Sequence, residues 1–218
     1  MLLYMIRHGE TDYNIQRKMQ GWTDIPLNEK GIELAVETGR ALRDVHFDRV
    51  ITSPLRRAVD TARLVLEGRD IPYITDRRIM ELGNGEWEGL TMEEIEARGV
   101  QEEFKKMWAD PMHYKGAPGG ESIQQLLVRT GEFLDDLFQN AEYQEETILV
   151  ATHGAAMRAL LHRFYEDPND FWHGCVPPNC SINIVKEEDG NVVLLKEDVL
   201  YYDQSLIGQA HPNHPKNN

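Results

Sequence analysis

Short apolar runs alternate with segments of helical period along this chain, and that alternation leaves few folds open to it. Leu2–Ile6 is the first run. From Ile32, the positions Ile32, Ala35, Val36, Gly39 and Leu42 share one helix face, with Asn28 placed to cap it. Val50-Ile51 centres a second strand, after which Ser53-Pro54 reads as N-cap and first helical residue. Ile71–Thr75 is a third candidate strand, and Thr91-Met92-Glu93-Glu94 has capping-box spacing. Ile123 to Phe138 has the longest amphipathic pattern. Thr147–Thr152 is the most strand-like run, with a helix expected from about Ala155. Ser181–Lys186 and Val192–Leu200 suggest a hairpin around Asp189-Gly190. The pattern predicts an α/β fold: a three-layer sandwich whose mostly parallel sheet carries helices on both faces, with one antiparallel edge. With no internal repeat and no linker, residues 1–207 read as a single domain, 83–120 as an acidic insertion over one end of the sheet, and 208–218 as a disordered tail.

Charge narrows the function. Across 218 residues the net charge is −14, the wrong sign for a nucleic-acid footprint, so no nucleic acid is expected as partner. The charge is uneven: residues 1–63 carry a net of +1 and 81–110 a net of −6, which assigns any anion site to the first 63 residues. The run Met1–Ile6 ends at Arg7-His8, far short of the ~20 residues of a membrane span, and no membrane association is expected. Cys175 and Cys180 are two thiols rather than a secreted disulfide framework. A reduced, cytoplasmic location follows as an expectation.

Two histidines occupy equivalent places. His8 follows the first strand and is trailed by Gly9; His153 follows Thr147–Thr152 and is trailed by Gly154. Ligands of α/β sheets bind beyond the carboxyl ends of the strands. The two imidazoles are therefore candidates for one crevice, where the glycines leave helix N-terminal amides free for an anion. A strand-end histidine is also an ordinary surface or capping residue, and for either one alone that reading stays open. Arg7 ends a strand, an odd place for a guanidinium unless it faces an anion. Arg57 lies in the first turn of a helix, where a cation costs roughly 0.3–1 kcal/mol against the dipole unless an anion binds there; Arg56 reads as a solvated neighbour. Two arginines, two imidazoles and free amides make a phosphate site that needs no metal and no cofactor. The histidines lack HxxxH or HxH spacing for a metal, and there is no P-loop. Imidazole is the nucleophile that remains.

Arg7-His8-Gly9-Glu10-Thr11 with Asn14, then Ser53-Pro54-Leu55-Arg56-Arg57-Ala58-Val59-Asp60-Thr61, then Glu81-Leu82 running to Trp87-Glu88-Gly89, then Thr152-His153-Gly154 resemble, in order, the motifs of the histidine phosphatase superfamily. The resemblance implies a phosphoglycerate mutase-like fold and a phosphohistidine formed on His8. It gives Arg7, Arg57 and His153 the phosphoryl oxygens, with Gly154 beside them. Asn14, Gln20 and Gly21 would contact phosphate or leaving group. Glu81 would be the general acid, with Glu86 as understudy. The substrate implied is a small-molecule phosphate ester and the protein a monomer or homodimer.

Phosphatase and mutase are both compatible with these motifs. The mutase branch carries a longer, basic insertion after the glutamate; here Leu82–Gly120 is acidic without paired arginines, and a second anionic group is expected to find little to hold it. Pro118-Gly119-Gly120-Glu121-Ser122 instead resembles bacterial broad-specificity and α-ribazole phosphatases. Hydrolysis is the reading preferred, cofactor-dependent phosphoglycerate mutase the alternative, and a non-catalytic phosphate-binding regulator a remote third. Trp87, Trp108 and Tyr114 are candidates to line a leaving-group pocket, which would favour a bulky phosphomonoester.

Overall fold

The first apolar run forms strand β1 (Leu2–Arg7), followed by the short helix α1 (Asp12–Ile15) and by α2 (Glu29–Ala41). Strand β2 (Arg49–Thr52), helix α3 (Arg56–Leu66) and the short strand β3 (Tyr73–Thr75) come next. Two small helices, α4 (Met92–Glu96) and α5 (Gln101–Ala109), interrupt the alternation before the long α6 (Ile123–Gln139). Strand β4 (Thr147–Thr152), helix α7 (Gly154–Leu161) and the hairpin β5 (Ile182–Glu188) and β6 (Asn191–Val199) complete the series. The computed structural model describes residues 1–203 and Ser205; the tail expected to be disordered, 208–218, lies outside the described residues.

The strands form one sheet in the order β3-β2-β4-β1-β5-β6. β3, β2, β4 and β1 run parallel, and β5 and β6 are antiparallel to their neighbours. Ile6, Leu149 and Ala151 pack on one face against Leu34 and Ala35 of α2 and Ala58 and Ala62 of α3. Leu3, Met5, Ile148 and Val150 pack on the other against Phe133 and Leu134 of α6 and Met157 and Leu160 of α7. The expected three-layer sandwich is therefore present. The central strands are buried on both sides, which is why they read as unbroken apolar runs rather than alternating ones.

The 83–120 stretch has a small core of its own. Trp87, Ile95, Phe104, Met107 and Tyr114 pack onto Ile123 and Leu126 of α6 and onto Ala155, Ala156 and Ala159 of α7. Its two ends meet: the Glu121 amide donates to the Gly83 carbonyl at 2.8 Å, and the Gly83 amide donates to the Glu121 carboxylate at 2.9 Å.

Local details depart from expectation in two helices. Asn28 does cap α2, accepting from the Gly31 amide at 2.8 Å. Ile32, however, is 44% exposed, and the buried face is Gly31, Leu34, Ala35, Thr38 and Gly39. The face is turned because Gly31 touches the loop after β1: a Cβ there would stand 2.1 Å from the Glu10 carbonyl oxygen. Ser53 does not cap α3. The N-cap is Leu55, without a side-chain bond, and the Arg56 amide is taken instead by the Asp24 carboxylate at 2.7 Å.

The Gly31 contact gives a stability prediction. Gly31→Ala forces backbone apart next to the His8 loop, a strain of the overpacking kind that costs about 1–3 kcal/mol. Urea unfolding should show a loss in that range; an unchanged midpoint would mean that α2 can slide away freely.

Candidate active site

The register of β1 against β4 sets the centre. Arg7 stands opposite Thr152, so the next residue of each chain segment, His8 and His153, leaves the sheet at the same edge. Their ring centroids are 5.2 Å apart, tilted by 56°. Both rings are buried. His8 Nδ1 lies 2.7 Å from the Gly9 carbonyl oxygen, an acceptor only, so Nδ1 carries the proton and Nε2 the lone pair. His153 has the complementary arrangement. Its Nδ1 accepts from Arg57 Nε at 3.2 Å, which leaves Nε2–H to donate to Ser53 Oγ at 2.7 Å. Burial, and then the Arg57 charge, push both imidazoles well below their usual pKa.

The guanidinium of Arg57 is itself held from the loop after α1. Its two terminal nitrogens donate to the carbonyls of Thr23 and Gly21, each at 2.8 Å. Burial pushes it down to about 10, so it stays charged at neutral pH. Gly21 sits at φ +51°, and a Cβ there would fall 2.1 Å from Glu88 Oε1 and 2.9 Å from the Asn84 amide. Glu88 in turn fixes this loop by accepting from the Trp22 amide at 2.9 Å and the Thr23 hydroxyl at 2.6 Å. Arg7 donates through one terminal nitrogen to the Pro177 carbonyl. Its Nε is buried and has no acceptor. Arg56 behaves as expected, an exposed side chain paired with Asp60 at 3.1 Å.

Glu81 overturns the expectation of free helix amides. Its Oε2 accepts from the Gly154 amide at 2.9 Å, and Oε1 from Ala155, Ala156 and its own neighbour Leu82 at 3.0, 3.1 and 2.9 Å. The N-terminus of α7 is thus capped by the carboxylate, and the Gly9 amide is taken by Thr61 Oγ1 at 2.9 Å. What Gly154 permits is the approach of Val176, whose Cγ1 lies 2.7 Å from where a Cβ would stand; Arg7 Nε and Glu81 Oε2, each at 3.6 Å, would be in ordinary contact with it. Glu81 is anchored from behind by Arg129, which donates to the carbonyls of Arg78, Met80 and Glu81 at 2.7, 2.8 and 2.8 Å. Arg129 also forks onto Glu121, with Nε and a second nitrogen each at 2.8 Å.

Above these groups lies a small cleft, partly open to solvent. Arg7, Asn14, Gln20, Gly21 and Glu81 all line it. Asn14 Oδ1 accepts from the Thr11 amide at 3.0 Å, and the Thr11 hydroxyl is 3.1 Å from both Asn14 Oδ1 and Gln20 Oε1. Of the three candidate aromatics only Trp108 lines the cleft; Trp87 and Tyr114 are 2% and 1% exposed and belong to the core beneath it. Trp172, which the sequence did not single out, lines it as well. So do Arg17 and Lys18. The expectation that a second anion finds little to hold it needs that correction: the acidic insertion supplies no such cation to the cleft, but the loop after β1 does.

Cys175 and Cys180 are unpaired thiols. Among the described residues, no group of three or more His, Cys, Asp or Glu is placed to hold a metal ion, and no helix is long and apolar enough to cross a membrane.

Comparison with known proteins accounts for the arrangement. The family model of the histidine phosphatase superfamily (branch 1) matches residues 3–198. The chain belongs to that superfamily. This histidine phosphatase is 33% identical over 186 residues to an adenosylcobalamin/α-ribazole phosphatase of Salmonella typhimurium, covering 83% of this chain and 88% of the relative. It is 36% identical over 163 residues to a 2,3-bisphosphoglycerate-dependent phosphoglycerate mutase of Gloeobacter violaceus, covering 73% and 74%. Among solved structures, Bacillus stearothermophilus YhfR superposes with a TM-score of 0.84 at 34% identity, covering 95% of this chain and 99% of the other. Its homologues include named phosphatases, and the chain is a phosphatase of this superfamily.

Three further residues position the site of this histidine phosphatase and escaped the sequence reading. Ser53, expected to cap a helix, bonds to His153; Glu121 and Arg129, to which the sequence assigns no role, form the fork behind Glu81. Only Ser53 and Glu121 stood inside quoted motifs.

The two histidines make its stability depend on pH. Both are neutral in the fold, whereas in the unfolded chain they bind protons below about pH 6.5. Stability is therefore full above that pH and falls as the solution is acidified, by up to about 1.4 kcal/mol per pH unit for each ring. Urea unfolding of His153→Gln against pH should show a shallower acid slope than the wild type. Parallel slopes would refute the assignment of a neutral buried ring.

Proposed function

We propose that this protein hydrolyses small-molecule phosphomonoesters through a phosphohistidine on His8, without a metal ion. One observation carries the reading: His8, whose Nε2 has no proton, has its ring 5.2 Å from that of His153 and is close enough to Arg57 and Arg7 to feel both charges. In the first step His8 Nε2 forms a bond to phosphorus as the ester P–O bond breaks. The departing oxygen takes a proton from Glu81; Oε2 is the oxygen suited to carry it, having one amide donor where Oε1 has three. In the second step water attacks the phosphohistidine, gives its proton back to Glu81, and inorganic phosphate leaves. Arg7, Arg57 and His153 hold the phosphoryl oxygens: the two guanidinium groups supply the positive charge that stabilises the transition state, and the neutral His153 turns its Nε2–H from Ser53 to a phosphoryl oxygen. Asn14, Gln20 and Gly21 border the leaving group or the Arg57 anchor. The acidic net charge supports a small phosphate ester rather than nucleic acid as partner, and two unpaired thiols support a reducing, cytoplasmic setting. Monomer and homodimer fit equally, and the 83–120 segment works with the sandwich as part of one catalytic domain.

The test is chemical trapping. Enzyme mixed with a labelled phosphomonoester in excess EDTA and quenched in base should carry acid-labile phosphate, located on His8 by mass spectrometry. EDTA-sensitive turnover, or label elsewhere, would overturn the mechanism. Arg17 and Lys18 at the cleft favour the mutase as the second reading. A 3-phosphoglycerate assay primed with 2,3-bisphosphoglycerate should show phosphate release and no isomerisation.

A further inference from the structure

The cleft has one wall whose chemistry the phosphoryl transfer does not use. Trp108, from α5, and Trp172, from the stretch after α7, stack with ring centroids 4.7 Å apart and planes 24° from parallel. Both indoles are half-buried. Trp172 is fixed in place: its Nε1–H donates to the Met107 carbonyl at 2.6 Å, and its ring meets the fully buried Phe171 edge to face at 4.9 Å. Met107 and Val176 extend the same apolar wall. Two segments more than sixty residues apart thus build one rigid aromatic surface beside the ester site. Flat rings preorganised in this way pair best with another flat ring, because offset-stacked and edge contacts gain energy beyond area burial, and because the wall loses little freedom on binding. A compact alcohol such as glycerol offers the wall no flat ring and little area to cover.

Resting on the phosphomonoesterase reading above, we propose that the leaving group this site selects is a planar aromatic alcohol, packed against the Trp108–Trp172 pair while its phosphate occupies the His8 centre.

The experiment compares two esters of primary alcohols, so that leaving-group acidity differs little: 2-naphthylmethyl phosphate and glycerol 3-phosphate. Wild type should show kcat/KM at least about tenfold higher for the aromatic ester, the factor that about 1.4 kcal/mol of aromatic contact confers. Trp108→Ala and Trp172→Ala should each bring the ratio towards one, and Trp108→Phe should keep most of it. Because a ratio is read, loss of folded protein cancels. Equal values in the wild type, or a preference that survives both alanine variants, would overturn the proposal. If neither ester is turned over, the hydrolase reading is what fails. The selectivity is then read by calorimetry with 2-naphthylmethylphosphonate and ethylphosphonate: tighter binding of the aromatic phosphonate upholds the proposal, and equal binding overturns it.

Discussion

Replacing His8 with Asn should lower kcat/KM by about 10⁴-fold or more, since the substitution removes the atom proposed to bond to phosphorus. Phosphate binding should survive. Arg7, Arg57 and His153 are held independently of the His8 ring, by the Pro177, Thr23 and Gly21 carbonyls and by Ser53. The loop itself is fixed through its backbone: the His8 amide donates to Thr152 and its carbonyl accepts from Asn179, both at 2.9 Å. Steady-state kinetics should therefore lose turnover while a competing phosphonate binds His8→Asn within a few-fold of its wild-type affinity. Residual activity within a hundredfold of the wild type would point to a different nucleophile.

Glu81→Gln should cost about 10²–10⁴-fold on an alkyl phosphate, the usual size of a general acid's contribution. It should cost much less on p-nitrophenyl phosphate, whose phenolate departs without needing a proton. That divergence separates proton transfer from mere positioning, because a displaced side chain would slow both esters alike. The same substitution puts an amide NH₂ where a carboxylate now accepts from α7. An unsatisfied backbone donor costs about 1–3 kcal/mol, so urea unfolding belongs beside the kinetics. Equal losses on the two esters would remove Glu81 from the proton path.

The parts of this site that could be read in the sequence are those fixed by strand ends. His8 and His153 each follow a strand directly, and parallel pairing of the two strands in register is enough to bring them together. Arg57 was legible for a different reason, a cation where the helix dipole disfavours one. The free amides at Gly154 were misread because their acceptor, Glu81, lies 73 residues away in sequence and no local pattern connects the two. Ser53 was misassigned through a local rule that usually holds: Ser-Pro before a helical pattern looks like a cap, but here the helix starts three residues later and the hydroxyl is committed to His153. The aromatics show the same limit. Composition cannot say whether Trp87 or Trp108 faces the cleft, since the choice depends on how the inserted segment folds over α6 and α7.

That inserted segment has a consequence for how relatives of this chain can diverge. Gly83 and Glu121 are joined by reciprocal hydrogen bonds, so the stretch between them departs from and returns to one point. Everything that fixes Glu81, the Arg129 fork included, lies outside that closed detour. The stretch can then be lengthened, shortened or exchanged like an interchangeable head on a common handle, provided the replacement still covers Ile123, Leu126 and the alanines of α7 and keeps Glu88, which holds the Trp22–Thr23 loop behind Arg57. The added chain entropy is small, about 0.6 kcal/mol for each doubling of length. Substrate preference can change wholesale in such a lineage while the distances among His8, Arg57 and His153 stay as they are.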